Sequence, residues 1–183
     1  MNPPSSPFKV RPLPPGFSPG GFRCEPPEKA DDIGDFIVQG VAAKAEAAGW
    51  LRTYIAEDHE GQLVGYFSLM ADTISLGEGA DPTAGHYKTA PAIKLARIGL
   101  DYRQQNKGLG KKLFYVALDQ VHAVGRLVGV RYLTLDAVAE KVSLYEKLGF
   151  QATTSTQPTA ENGLDPHDRS MYFDLGGTAE REE

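Results

Sequence analysis

QNKGLG, Gln105–Gly110, lies in the middle of a 183-residue chain. Gly108 and Gly110 follow a polar run, and Lys111 and Lys112 come next. Just upstream, ARIGL (96–100) reads as a buried strand, and DYRQQNK (101–107) as a short polar loop. Downstream, GLGKKLFYVALDQVHAVGRL (108–127) places Leu109, Leu113, Val116, Ala117, Val121 and Val124 on one side of a helix. A strand, a polar loop and a glycine-opened helix aim free backbone N–H groups and the positive end of the helix dipole at one point. An anion belongs there, most simply a pyrophosphate. Glycine carries no Cβ and permits close approach.

Working outward, the flanks supply the rest of a mixed sheet. Before the loop, residues 27–48 carry Ile33, Phe36, Ile37, Val41 and Ala45 at helical steps, with Gly34 and Gly40 splitting the pattern into two short helices. LRTYIAED and LVGYFSLMAD, joined by the turn HEGQ, form a β-hairpin signature. Residues 74–90 read as a loop and APAIKLARIGL as the next strand. After the glycine-opened helix come the strand VRYLTLDA, the short helix EKVSLYEKLG ending at Gly149, and closing strands over 150–156 and 170–175. The order implies an α/β (α+β) single domain with helices on the faces of a mixed sheet. The proline-dense residues 1–21 are expected as an extended or loose N-terminal arm, 22–176 as the domain and 177–183 as a frayed acidic tail.

The composition is globular, with 41% apolar and 23% charged residues. A net charge of -5 does not favour a dedicated nucleic-acid binder, although a local basic patch fits within an acidic total. No apolar run reaches membrane-spanning length and no signal pattern opens the chain, so no membrane partner is expected. One cysteine, Cys24, excludes an internal disulfide and suits a reducing, cytoplasmic setting. His59, His86, His122 and His167 lack metal-ligand spacing, so no metal is expected. Trp50 is expected in the core, with a wall of an acceptor pocket as the alternative.

Whose phosphate the loop holds has three answers. A Walker A loop requires glycine where Gln105 stands and Ser or Thr where Lys112 stands, so that reading fails. A dinucleotide loop requires a small residue at position 113, where Leu113 would obstruct helix–strand packing, and Asp136 comes late for a ribose-binding acid. The third answer is coenzyme A. QNKGLG matches the Q/R-x-x-G-x-G/A loop of the GNAT N-acetyltransferase superfamily, and LYEKLGF (144–150) matches its second signature. The resemblance covers about residues 51–150. Within the superfamily the chain looks most like the toxin branch that includes TacT. LARIGLDYRQQNKGLG and LVGYFSLMAD resemble stretches of that branch, and Phe22-Arg23-Cys24 is similar to an F-x-C near its start.

The resemblance implies a GNAT fold with a mostly antiparallel sheet and a splayed strand pair, and acetyl-CoA as cosubstrate. It assigns the pyrophosphate to the backbone of Gln105, Asn106, Lys107, Gly108, Leu109, Gly110 and Lys111, and the pantetheine arm to Ile98, Gly99 and Leu100. It makes Tyr145 the general acid that protonates the leaving thiolate; a core tyrosine on the Val142, Tyr145, Leu148 face is the plain alternative. Lys107, Lys111 and Lys112 add charge at the phosphates or are solvated. The expected activity is acetyl transfer to a primary amine by direct attack, the amine being a small molecule, a peptide or aminoacyl-tRNA. A CoA-binding module without turnover is the rival. A homodimer is compatible with the resemblance.

Two departures stand out. The strand before the loop carries Lys94 and Arg97 and no glutamate, leaving Glu57, Glu78, Asp81 and His86 as candidate bases. A missing base leans toward α-amines, which are partly neutral at pH 7. Many family members also have Asn where this chain has Val138. Lys88, Lys94, Arg97 and Arg103 read first as ordinary surface charges and second as a patch for RNA.

Overall fold

A computed structural model describes residues 7–75, 87–153 and 168–176. Its strands, in chain order, are β1 (Lys9–Pro12), β2 (Arg52–Glu57), β3 (Leu63–Ser75), β4 (Thr89–Leu100), β5 (Tyr132–Ala137), β6 (Gln151–Ala152) and β7 (Arg169–Asp174). Its α-helices are α1 (Asp32–Val38), α2 (Val41–Ala47), α3 (Leu109–Gly125) and α4 (Val142–Lys147). The strand order is β1-β2-β3-β4-β5-β7-β6. β1–β2, β2–β3, β5–β7 and β6–β7 are antiparallel, whereas β4 pairs β5 in parallel over Ala92↔Tyr132, Ile93↔Leu133 and Lys94↔Thr134. This is the α/β sheet expected from the element order. Of the expected loop at 74–90, residues 74–75 instead extend β3 and 89–90 open β4, while 76–86 lie outside the described residues. Of the expected strand over 150–156, residues 151–152 form β6 and 154–156 lie outside the described residues.

The chain divides into two compact units, Met1–Met70 with Leu95–Gln120, and Ala71–Lys94 with Val121–Glu183. The first unit has a core of Phe22, Ile37, Ala42, Ile55, Leu63 and Tyr66. Tyr66 is fully buried, and its hydroxyl donates to the Ile33 carbonyl at 2.5 Å, which satisfies the polar end of an otherwise apolar anchor. Asp31 caps α1 by accepting from the Gly34 amide at 2.9 Å. Gly40, at φ +72°, turns the chain from α1 into α2.

Two expectations are corrected in this unit. The proline-dense start is not all loose lead-in, because residues 9–12 form β1, with Phe8 and Leu13 buried on either side of it. Proline is excluded from central strands but tolerated at an edge, and β1 heads the strand order. Trp50 is 70% exposed and is not part of the core. It follows the last turn of α2, where its amide donates to the Ala45 carbonyl and closes the helix end.

In the second unit, Leu133, Leu135, Ala137 and Met171 are buried. Leu133, Leu135 and Ala137 lie on one face of β5 by the two-residue period of a strand; on the other face Thr134 is also buried, whereas Asp136 and its β7 partner Ser170 are half-buried. α3 runs across the division between units. Leu113, Ala117 and Val121 are buried on it as the period predicts, joined by Phe114 and Leu118.

Candidate functional site

In the first unit, β4 ends at Leu100 and the chain turns through Asp101, a 3-10 turn at Tyr102–Gln104, and Gln105–Gly108 into α3. Asp101 is 1% exposed. Its carboxylate accepts from the Arg103 amide (3.0 Å) and from the Arg103 guanidinium (2.7 and 2.8 Å). Burial by itself would raise its pKa, but these donors, with the Arg23 amide, hold it below the ordinary carboxylate range. The turn is therefore anchored by a charged side chain that it caps itself.

Asn106 is the one described non-glycine residue at positive φ (+59°), and Gly108 stands at φ +75°. Alternation of left-handed residues with Lys107 between them gathers successive amides into a concave nest. Among the described residues, the N–H groups of 106–111 meet no acceptor. A Cβ added at Gly110 would meet nothing within 4 Å, so the space in front of the helix start is open. This donor-only, side-chain-free opening suits a pyrophosphate.

The flanking lysines are already engaged. Lys107 Nζ donates to Gln104 Oε1 at 3.1 Å, and Lys111 Nζ lies 5.7 Å from the Tyr115 ring centroid. Ile98, Gly99 and Leu100 continue β4 beyond the register of its parallel ladder with β5. Gly99 is buried against Cys24, Ile33 and Tyr66, where no side chain fits. Cys24 is itself buried, and burial pushes its thiol pKa up, so it is no thiolate nucleophile.

In the second unit, α4 carries Tyr145. The helix stops at Gly149, at φ +97°, where a side chain would press on the Phe173 ring at 3.0 Å. The Phe150 amide donates back to the Tyr145 carbonyl at 3.0 Å, and the Phe150 ring packs edge-on to Tyr145 at 5.7 Å. Tyr145 is half-buried, and burial raises its phenol pKa above the ordinary value. Its hydroxyl has no hydrogen-bond partner among the described residues. Val138 is exposed and precedes the 3-10 turn that leads into α4.

The candidate bases fare unevenly. Glu57 accepts two hydrogen bonds of 2.7 Å from Arg11, which holds its pKa below the ordinary range. Glu78, Asp81 and His86 lie outside the described residues. The cations suggested for an RNA patch are largely committed. Lys94 pairs with Asp136, Arg103 pairs with Asp101, and Arg97 lies over the Phe36 ring at 5.3 Å. Sequence reasoning overlooked the side-chain roles of Asp31 and Asp101. An acid just before a helical run signalled the first; the second becomes visible only once Arg23 and Arg103 surround it.

Residues 26–172 match the family model described as acetyltransferase (GNAT) domain. The chain belongs to the GNAT acetyltransferase family. It is an N-acetyltransferase with acetyl-CoA as its cosubstrate. Among solved structures, it is similar to the toxin AtaT complexed with acetyl-methionyl-tRNAfMet, at 20% identity and TM-score 0.75, covering 93% of this chain and 96% of that one. It is also similar to a tyrosine-to-phenylalanine variant of AtaT bound to the C-terminus of the antitoxin AtaR and acetyl-CoA, at 19% identity and TM-score 0.70, covering 94% and 96%. The KacTA–DNA complex matches at 20% identity and TM-score 0.70, covering 93% and 94%. At these identities the likeness is one of fold, and it agrees with the toxin-type GNAT resemblance read from the sequence.

Proposed function

We propose that this GNAT chain binds acetyl-CoA at the 105–111 loop and directs its acetyl group to a primary amine without an acylated enzyme side chain. The observation that carries the proposal is the run of acceptor-free amides at 106–111, beside the open space at Gly110. Acetyl-CoA supplies the acetyl group as an activated thioester. The amides of Asn106 to Lys111 hold its pyrophosphate, the Gln105 amide being already taken by the Tyr102 carbonyl, and the backbone of Ile98, Gly99 and Leu100 aligns the pantetheine arm. Tyr145 carries a proton for the leaving sulfur; its raised pKa keeps the phenol protonated at neutral pH. The buried Cys24 is the chain's one cysteine, which supports direct transfer over a thiol relay.

Calorimetry of acetyl-CoA binding to wild type and Gly110→Trp tests the loop. The indole should fill the opening and abolish binding while the fold remains. Release of free thiol in the presence of an amine then separates an enzyme from a CoA-binding module.

A second reading narrows the acceptor to the α-amine of aminoacyl-tRNA. It is supported by the fold likeness to AtaT in complex with acetyl-methionyl-tRNAfMet. The absence of a carboxylate on β4 leans the same way, since an α-amine is partly neutral at pH 7. Lys94 and Arg103 are already paired with Asp136 and Asp101, so among the four named patch residues such binding should depend less steeply on salt than four unpaired cations would give. Acetylation of charged tRNA, compared with polyamines and peptides by mass spectrometry, decides it. Transfer to polyamines or peptides without transfer to charged tRNA would sink this reading.

A further inference from the structure

We propose that the Gln105 side chain is a positioning residue for acetyl-CoA: it fixes the pyrophosphate loop from behind by donating to the Cys24 carbonyl. The inference rests on the reading that residues 105–111 hold the pyrophosphate. Gln105 opens the motif, and the expectation was that its backbone faces the ligand. Its carboxamide points elsewhere, with Nε2 donating to the Cys24 carbonyl at 2.7 Å and to the Leu100 carbonyl at 3.2 Å. Both protons of the amide nitrogen are thereby used inside the protein.

The anchor is itself held. Asp31 is 5% exposed and accepts from the Cys24 amide at 2.9 Å while capping α1 through Gly34. The neighbouring Arg23 carbonyl accepts from the Tyr102 amide at 2.8 Å. Two consecutive carbonyls, those of Arg23 and Cys24, thus pin both ends of the Tyr102–Gln105 turn. The chain then passes at once into the left-handed Asn106 and Gly108, whose conformations set the direction of the free amides. Without the Gln105 tie, these residues would have to be ordered by the ligand, and that ordering subtracts from affinity.

The requirement is for a donor at position 105, which gives the test its shape. Gln105→Met keeps the length and removes the donor. Gln105→Glu keeps the shape and turns acceptors toward two carbonyls. Gln105→Arg restores N–H donors. By calorimetry, the Met and Glu variants should bind acetyl-CoA about tenfold more weakly, the size of one well-placed hydrogen bond. The Arg variant should bind close to wild type. In steady-state assays the loss should appear in KM for acetyl-CoA, with kcat at saturation and KM for the amine retained; a general loosening of the fold would lower kcat as well. Met and Glu variants that both bind like wild type, or an Arg variant as weak as Met, would overturn the assignment while leaving the function standing. A folded wild type that binds no acetyl-CoA would overturn the function itself and this assignment with it.

Discussion

Gly99 lies so close to Cys24 that a Cβ at position 99 would stand 2.6 Å from the Cys24 Sγ. The same methyl would meet Ile33 and Tyr66 at 2.9 Å each. All three neighbours belong to a packed core, so the misfit cannot relax into solvent. Gly99→Ala should therefore destabilise by about 1–3 kcal/mol, measured by urea unfolding. Adding Cys24→Ala should recover only part of the loss, because Ile33 and Tyr66 still crowd the site. A fully stable Gly99→Ala would contradict the packing.

Gly108 and Gly110 serve different needs, and alanine should separate them. Gly108 is left-handed, so Gly108→Ala should cost about 1–2 kcal/mol of stability. Gly110 sits within the first turn of α3 with open space around it, so Gly110→Ala should leave thermal stability unchanged or raise it by up to about 1 kcal/mol. Its affinity for acetyl-CoA should still fall, because the methyl occupies the approach to the amides. Thermal denaturation paired with calorimetry on the two variants checks both statements.

Asp101 sets an acid limit on stability. Its pKa is lower in the folded protein than in the unfolded chain, so below about pH 4 the unfolded state binds more protons. The contribution is fully present above the unfolded carboxylate value and is lost as pH falls through the folded one. Urea midpoints should therefore drop as pH goes from about 5 to 3, and Asp101→Asn should show a shallower drop from a lower starting stability. Equal slopes for the two proteins would remove Asp101 from the account.

Tyr145→Phe deletes one hydroxyl that has no partner among the described residues. The ring contact with Phe150 remains, so stability should be nearly unchanged. Acetyl transfer should fall about 10²- to 10⁴-fold, the range for loss of a general acid. Because burial raises the phenol pKa, any alkaline decline in wild-type activity from this group should come at higher pH than for a free phenol. Retained turnover in Tyr145→Phe would assign the residue to the core.

Much of the fold was legible because strand and helix periods are local. Leu113, Ala117 and Val121 recur at the helical step and are buried together, and the β2–β3 hairpin sits where its β-rich runs and Gly-containing turn placed it. β1 was missed because Pro12 speaks against a strand in general, while the edge position that makes it acceptable is a property of the assembled sheet. Trp50 was misjudged for a related reason: bulk favours burial on average, but the helix end on which this residue sits faces solvent.

By itself, the sequence determined the family and marked the glycine-opened turn at 105–110 that we propose for the cosubstrate. Glycine spacing, a helix start and a tyrosine signature depend on neighbours a few residues apart, and the chain carries them without folding. What only the tertiary structure decided is how that loop is held. Gln105 reaches Cys24 at a sequence separation of 81, Asp101 meets the Arg23 amide at a separation of 78, and Gly99 is forced to be glycine by Cys24, Ile33 and Tyr66. Such contacts join residues that share no local pattern, and a hydrogen bond or a steric limit acts only where packing has brought the groups within a few ångströms.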